Sequence, residues 1–306
     1  MSASPAVLGA DLGGTKCHAV LADRDGTVLA EDYRRSDGSV DPADVLFSSL
    51  ADLRQRAAAQ GRSVVGVGIG VPGLLDPASG RMVGGFNLGW NGFDLGARLE
   101  AGIPEPWSVE NDVNLAALGE AWAGAGRGAA SFAVVSLGTG LGGAVMVGGT
   151  LLRGAHGAAG EFGFLLAARE QLRRQEAMAM ETLVGGRFLA ARTGTEPAAV
   201  LAAAAAGEAT AAAVVAELLD HVAMTVVDIA AVVDPERVVL DGSVGRALAP
   251  YLPRLGELLA PALLFPPELA VSTLTPTAAL VGAVGEAWRL AGASGQGSIS
   301  STSANR

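Results

Sequence analysis

Residues 6–10 and 17–22 are short apolar runs on either side of Asp11-Leu12-Gly13-Gly14-Thr15-Lys16, a string that brings a carboxylate, two glycines, a hydroxyl and an ammonium to one turn. Glycine gives the backbone freedom to reverse between two strands, so the segment predicts a hairpin with polar chemistry at its tip. The same unit returns later. Residues 132–137 are apolar, Gly138-Thr139-Gly140-Leu141-Gly142-Gly143 follows, and residues 144–147 leave it as another strand. Consecutive backbone N–H groups at such a tip form an anion nest, and two opposed tips can grip a triphosphate from both sides. Both strings carry a Gly-Thr pair, and Lys16 is the only lysine among the 21 basic residues. The first string is not a Walker A loop, which needs Gly, four residues, then Gly-Lys-Ser/Thr ahead of a helix.

The elements between these tips alternate. Residues 28–33 predict a third strand, and 42–60 a helix with Val45, Leu46, Leu50 and Leu53 at helical spacing. Residues 64–71 read as a buried strand closed by Pro72-Gly73. A short helix over 95–101, a strand over 107–110 and a helix over 114–122 complete the order of one half of an actin-like lobe. Further on, residues 210–233 predict a long helix and 237–240 a strand. Asp241-Gly242-Ser243-Val244-Gly245 is a third glycine turn opening a helix, whose free N–H donors suit an adenosine or phosphate group. A last helix is expected over 280–290, and the Ala, Gly and Ser-rich stretch 291–306 reads as a disordered tail.

Composition removes several function classes. A formal charge of −10 argues against a nucleic-acid surface, which needs clustered Lys and Arg. A polyphosphate would therefore be held by local N–H groups and a metal. One cysteine, Cys17, cannot close an internal disulfide, and no signal peptide precedes the first strand, so a cytoplasmic location is expected. No membrane span is expected either: the longest candidate, 198–216, is mostly alanine and contains Glu208, short of the ~20 uninterrupted apolar residues required. At 306 residues, 50% hydrophobic and 5% aromatic, the chain suits two domains with aliphatic cores.

Glu110-Asn111-Asp112 stands where a strand gives way to a helix, the edge at which α/β proteins place ligands. A carboxylate there can serve as a base, or Asn111 or Asp112 can merely cap the helix. These residues join Asp11 to Lys16, Val71-Pro72-Gly73, residues 137–143, Gly154-Ala155-His156-Gly157-Ala158-Ala159-Gly160-Glu161, Glu181 and Leu240-Asp241-Gly242. As an ordered set they resemble the ROK family of bacterial sugar kinases and repressors, over about residues 5–290.

The resemblance implies an α/β, actin-like ATPase (ribonuclease H-like) fold of two lobes with a cleft between them. The N-terminal lobe would span 1–116, completed by the helix at 280–290, and the larger C-terminal lobe 117–279. The implied activity is ATP-dependent phosphorylation of a hexose hydroxyl, with assembly as a homodimer or homotetramer. Asp112 matches the catalytic base. Gly73, Asn87, Asn111, Glu161 and Glu181 match sugar ligands beside it. Asp11, Gly13, Gly14, Thr15 and Lys16, then Gly138, Thr139 and Gly140, then Gly242 and Ser243 match the ATP-binding set, with Mg²⁺ near Asp11 through water.

The departures matter as much. Many ROK members follow the Gly-Glu pair with Gly-His and a cysteine-rich loop that holds a structural zinc. Here Glu161 is followed by Phe162-Gly163-Phe164, and residues 167–180 contain no cysteine, so that ligand set is absent and no structural zinc is expected. Phe164 also replaces an imidazole that contacts the sugar in the family, which opens a second reading: a kinase of a sugar-like cyclitol. A sugar-responsive repressor would need a helix-turn-helix module ahead of Asp11, where ten residues stand. His156 is expected to be structural, and His18 and His221 to face solvent or a partner group. Arg169, Arg173 and Arg174, mixed with Glu170 and Glu176, read as a solvated helix face.

Overall fold

A computed structural model describes residues 3–38, 40–76, 79–83, 88–174 and 178–294. The chain divides into two compact units, Met1–Gly119 with Ala279–Arg306, and Glu120–Ala278. The first unit runs β1 (Ser4–Leu12), β2 (Lys16–Ala22), β3 (Val28–Arg35), α1 (Pro42–Ala59), β4 (Arg62–Val71), β5 (Leu74–Leu75), β6 (Met82–Val83), α2 (Leu95–Gly102), β7 (Trp107–Asn111) and the start of α3 (Asp112–Ala123). Its sheet has the order β3-β2-β1-β4-β7, an antiparallel meander followed by two parallel strands. Asp41 caps α1 by accepting from Ala43 N at 2.8 Å, and Pro42 fits the first helical turn, where a missing N–H costs nothing. The apolar stripe of α1, with Leu46, Leu50 and Leu53 fully buried, packs on Leu8, Leu21 and Ile69 of the sheet.

The second unit contains β8 (Ser131–Leu137), β9 (Leu141–Val147), β10 (Thr150–Leu151), α4 (Arg169–Arg174), α5 (Gly185–Thr193), α6 (Pro197–Ala205), α7 (Ala209–Val233), β11 (Arg237–Asp241), α8 (Gly242–Ala247), α9 (Leu252–Leu259) and β12 (Glu268–Val271). Its sheet order, β10-β9-β8-β11-β12, repeats the scheme of the first: meander, then two parallel strands. The alanine-rich stretch 198–216 is two helices, broken after Ala205 and restarted at Glu208, whose side chain accepts from Thr210 N and Ala211 N. By length and composition α7 could cross a membrane, yet its Val215, Leu218, Val222 and Val226 form the core of this unit.

The chain then returns to the first unit as α10 (Ala278–Ser294), which lies on the sheet at backbone contact. A Cβ on Gly68 would stand 2.0 Å from Ala283 O, one on Gly66 2.5 Å from Ala287 O, and one on Gly282 1.9 Å from Leu115 O. Helix α10 continues four residues past 290, to Ser294, into the stretch expected to be a tail. The remainder, 295–306, lies outside the described residues. Helix α3 starts two residues before the expected 114, because Asn111 caps it.

Candidate active site

In the first unit, the tip between β1 and β2 is fixed by Ser36. Its Oγ donates to Gly13 O at 2.7 Å, its N–H donates to Thr15 O at 3.0 Å, and Gly13 N donates to Lys16 O at 2.8 Å. A trans peptide sets each N–H opposite the preceding C=O, so anchoring Gly13 O turns the Gly14 N–H away from Ser36. Neither Gly13 nor Gly14 has a positive φ, and a Cβ on Gly13 would approach nothing closer than Lys16 O at 3.5 Å. The conformational freedom expected of these glycines is therefore unused; bare backbone here leaves room for a close approach. Thr15 and Lys16 are exposed beside it.

Asp11 lies one strand residue before this tip, level with His18 on β2 and Gly70 on β4. Burial pushes its carboxyl up, while the charges of Lys16 and His18 pull it back down. A Cβ on Gly70 would lie 3.5 Å from Asp11 Oδ1, so the carboxylate borders a cradle that any larger residue would fill. Among the described residues no group of three or more His, Cys, Asp and Glu is placed to hold a metal. One hard oxygen donor beside the bare backbone of this tip fits Mg²⁺, which keeps most of its waters and takes few protein ligands. Burial pushes the Cys17 thiol up to about 12, which leaves it unsuited to metal binding.

At the β7–α3 junction, Asn111 Oδ1 accepts from Val113 N at 2.9 Å and Asn114 N at 3.2 Å, while its Nδ2 donates to Gly73 O at 3.2 Å. Glu110 Oε1 accepts from Asn111 N at 3.1 Å and from Asn114 Nδ2 at 2.9 Å. The capping role left open for Asn111 is thus real, and the same side chain ties α3 to the Pro72-Gly73 turn, where Gly73 has φ +108°. Asp112 is the first residue of α3, half-buried, with Oδ1 accepting from Val113 N at 2.9 Å. Asn87 lies outside the described residues.

In the second unit, the tip between β8 and β9 is anchored by the start of α5. Gly186 N donates to Gly138 O and Arg187 N to Thr139 O, each at 2.8 Å. By the same peptide geometry the N–H groups of Thr139 and Gly140 turn away from α5, which is the arrangement of an anion nest. A Cβ on Gly138 would meet nothing within 4 Å, whereas one on Gly242, at φ +79°, would lie 2.5 Å from Leu137 O. The Asp241-Gly242-Ser243 turn therefore packs directly on the start of this tip. Asp241 is held there by the hydroxyls of Ser136 and Thr275.

Glu161 and Glu181 come together in this unit. Burial, and then the charge of Glu181, push the Glu161 carboxyl up from its ordinary 4.5. Glu181 Oε1 accepts from Arg187 Nη1 at 2.8 Å and its Oε2 from Leu141 N at 3.4 Å. Arg187 was not foreseen, since nothing in Gly185-Gly186-Arg187 marks it before the helix is folded against the tip. Phe162 is buried where Gly143 lacks a Cβ, while Phe164 is 56% exposed. His156 is exposed, His18 Nε2 lies 3.2 Å from Glu31 Oε2, His221 meets the Phe188 ring edge-on, and Arg169 pairs with Glu170.

The raised Glu161 pKa has a stability consequence. A carboxyl that binds its proton more tightly when folded stabilises the fold below pH 4.5, and that contribution is lost as pH rises through the folded pKa. Glu161→Gln is therefore expected to raise Tm at pH 7 and to lose that advantage as pH falls toward 4.5. Melting curves of both proteins across pH 4 to 8 check this; a lower Tm for the variant at pH 7 would refute it.

The profile of the ROK family matches residues 7–289. The chain belongs to the ROK family. Its fold is the actin-like ATPase fold of ROK kinases, shared with the ROK hexokinase from Thermus thermophilus at a TM-score of 0.79 and 29% identity, over 95% of this chain and 100% of that one. A ROK glucokinase from Streptomyces griseus, solved with glucose and AMPPNP, aligns at a TM-score of 0.76 and 27% identity, over 93% and 99%. In sequence, this ROK protein is 28% identical to the glucokinase of Halalkalibacterium halodurans, over 90% of its own length and 92% of that protein's.

Proposed function

We propose that this ROK protein transfers the γ-phosphoryl group of ATP to a hydroxyl of a hexose, glucose first among the candidates, with Asp112 as the general base. The observation that carries the reading is the carboxylate of Asp112 on the first turn of α3, beside a cap that locks Asn111 to the Gly73 turn. A sugar alcohol is a poor nucleophile. Its transfer chemistry needs a carboxylate within hydrogen-bond reach of the hydroxyl proton and donors spread over the phosphoryl oxygens. Asp112 takes that proton, while Asn111 and the Gly73 turn hold the acceptor, with Asn87 also assigned to it. Glu161 and Glu181 accept from further sugar hydroxyls. The N–H groups of Gly13, Gly14, Thr139 and Gly140, with Gly138, Thr15 and Lys16, take the phosphates, and Gly242 and Ser243 the adenosine side. Mg²⁺, when bound near Asp11 through water, neutralises charge on the phosphates. The glucose and AMPPNP of the Streptomyces griseus complex support this choice of substrates.

A second reading is favoured by Phe164. A phenyl ring offers no hydrogen bond to a sugar hydroxyl, so a less hydroxylated or carbocyclic acceptor would lose less than glucose in its presence. A panel of hexoses and cyclitols with ATP, followed by ADP release, tests both readings. Selective turnover of glucose supports the hexose; preference for a cyclitol that shifts partly toward glucose in Phe164→His supports the alternative. Release of no ADP with any acceptor would overturn the kinase.

A further inference from the structure

The phosphate-facing groups assigned above are backbone N–H groups, a hydroxyl and Lys16, in a chain of net charge −10. A nucleoside triphosphate brings more negative charge still, and the second tip has a cation of its own. Arg187 is joined to that tip twice. Its backbone N–H donates to Thr139 O at 2.8 Å, and its guanidinium reaches Glu181, whose other oxygen accepts from Leu141 N. The Glu181 carboxyl carbon lies 2.5 Å from where a Cβ on Gly140 would stand, so the carboxylate lies directly against the loop. The Arg187 side chain is 61% exposed against 14% for Glu181. One of its N–H donors is engaged by Glu181, and a guanidinium has five. Among the described residues, the unit's other ion pairs, Arg169 with Glu170, Arg192 with Glu217, Arg254 with Glu257 and Arg237 with Glu268, include no residue bonded to the tip between β8 and β9.

We propose that Arg187 is a phosphate ligand: its guanidinium, held by Glu181 against Gly140, binds the terminal phosphates of a nucleoside triphosphate bound at the tip between β8 and β9. The inference rests on the kinase reading above. A planar guanidinium matches phosphate oxygens in a bidentate manner, which a lysine ammonium does not. Glu181 holds the long side chain beside the loop, so less rotamer freedom is lost when phosphate binds. As a mere surface pair, Arg187 with Glu181 would contribute little and would not distinguish one nucleotide from another.

The test is isothermal titration of the full chain with AMPPNP and with AMP, in the presence of Mg²⁺, for wild type, Arg187→Met and Arg187→Lys. Arg187→Met keeps the apolar stem and removes the charge. It is expected to weaken AMPPNP binding by about tenfold to a hundredfold, the range for a lost hydrogen bond to a charged group, while AMP, which lacks the outer phosphates, changes little. Arg187→Lys is expected to fall between, and to carry the test should the Met variant melt early. Equal losses for both nucleotides, or none, would overturn the assignment of Arg187. A wild type that binds neither nucleotide would instead overturn the kinase reading.

Discussion

Asp112→Asn is expected to leave the fold and sugar binding in place and to lower kcat by about 10²- to 10⁴-fold, the range for loss of a positioned general base. The substitution is nearly isosteric. An amide oxygen can still accept from Val113 N, as Asp112 Oδ1 does at 2.9 Å, and the helix cap belongs to Asn111, so α3 keeps its start. What disappears is the ability to take a proton, because an amide has no useful basicity near neutral pH. Sugar binding by calorimetry should stay within a few-fold of wild type while kcat collapses. Near wild-type turnover would remove Asp112 from the role of base.

Gly68→Ala should be strongly destabilising for a single added methyl group in the first unit. Its Cβ would stand 2.0 Å from Ala283 O and 2.8 Å from Ala283 C, and these are helix backbone atoms. A flexible side chain could turn aside; a helix can only be pushed off the sheet. Displacing α10 would disturb the packing of Val7, Val20, Leu280 and Val284 together. Overpacking of this kind costs about 3 kcal/mol, the upper end of its usual range, or a fall in Tm of about 10 °C. Gly61→Ala is a useful contrast: its Cβ would meet nothing within 4 Å, although its φ of +66° carries a backbone cost of its own. A Gly68→Ala protein that melts with wild type would mean that α10 is held more loosely than its spacing from the sheet implies.

Much of the fold was legible because its signals are local. The two hairpins show as apolar runs around glycine turns, and α1 and α7 as periodic stripes between polar faces, so they could be bounded to within a few residues. β12 and α5 were not foreseen. Glu268–Val271 is four residues long and earns its place by pairing with β11, and α5 opens on two glycines that local propensity would not choose. The carboxylates of the candidate site were legible as residue types in an ordered set of motifs. Their partners were not, since Arg187 reaches Glu181 only when α5 has docked on the second tip. Gly13 and Gly14 were identified for a conformational freedom they do not use: neither has a positive φ, and beside Gly13 a Cβ would meet nothing closer than Lys16 O at 3.5 Å. Asn111 was split between cap and ligand because both roles begin from the same residue at the same strand end, and sequence alone cannot say where an amide points.

The path of α10 sets an order on the protein's own synthesis. The second unit is one continuous segment, so it can complete its core as soon as residue 278 has emerged from the ribosome. The first unit cannot. Its sheet is made early, but the face lined by Gly9, Gly66 and Gly68 waits for a helix that is translated after the whole of the second unit. During that interval the nascent chain carries the sheet of the first unit with the face that packs on Leu280, Val284 and Ala287 still uncovered.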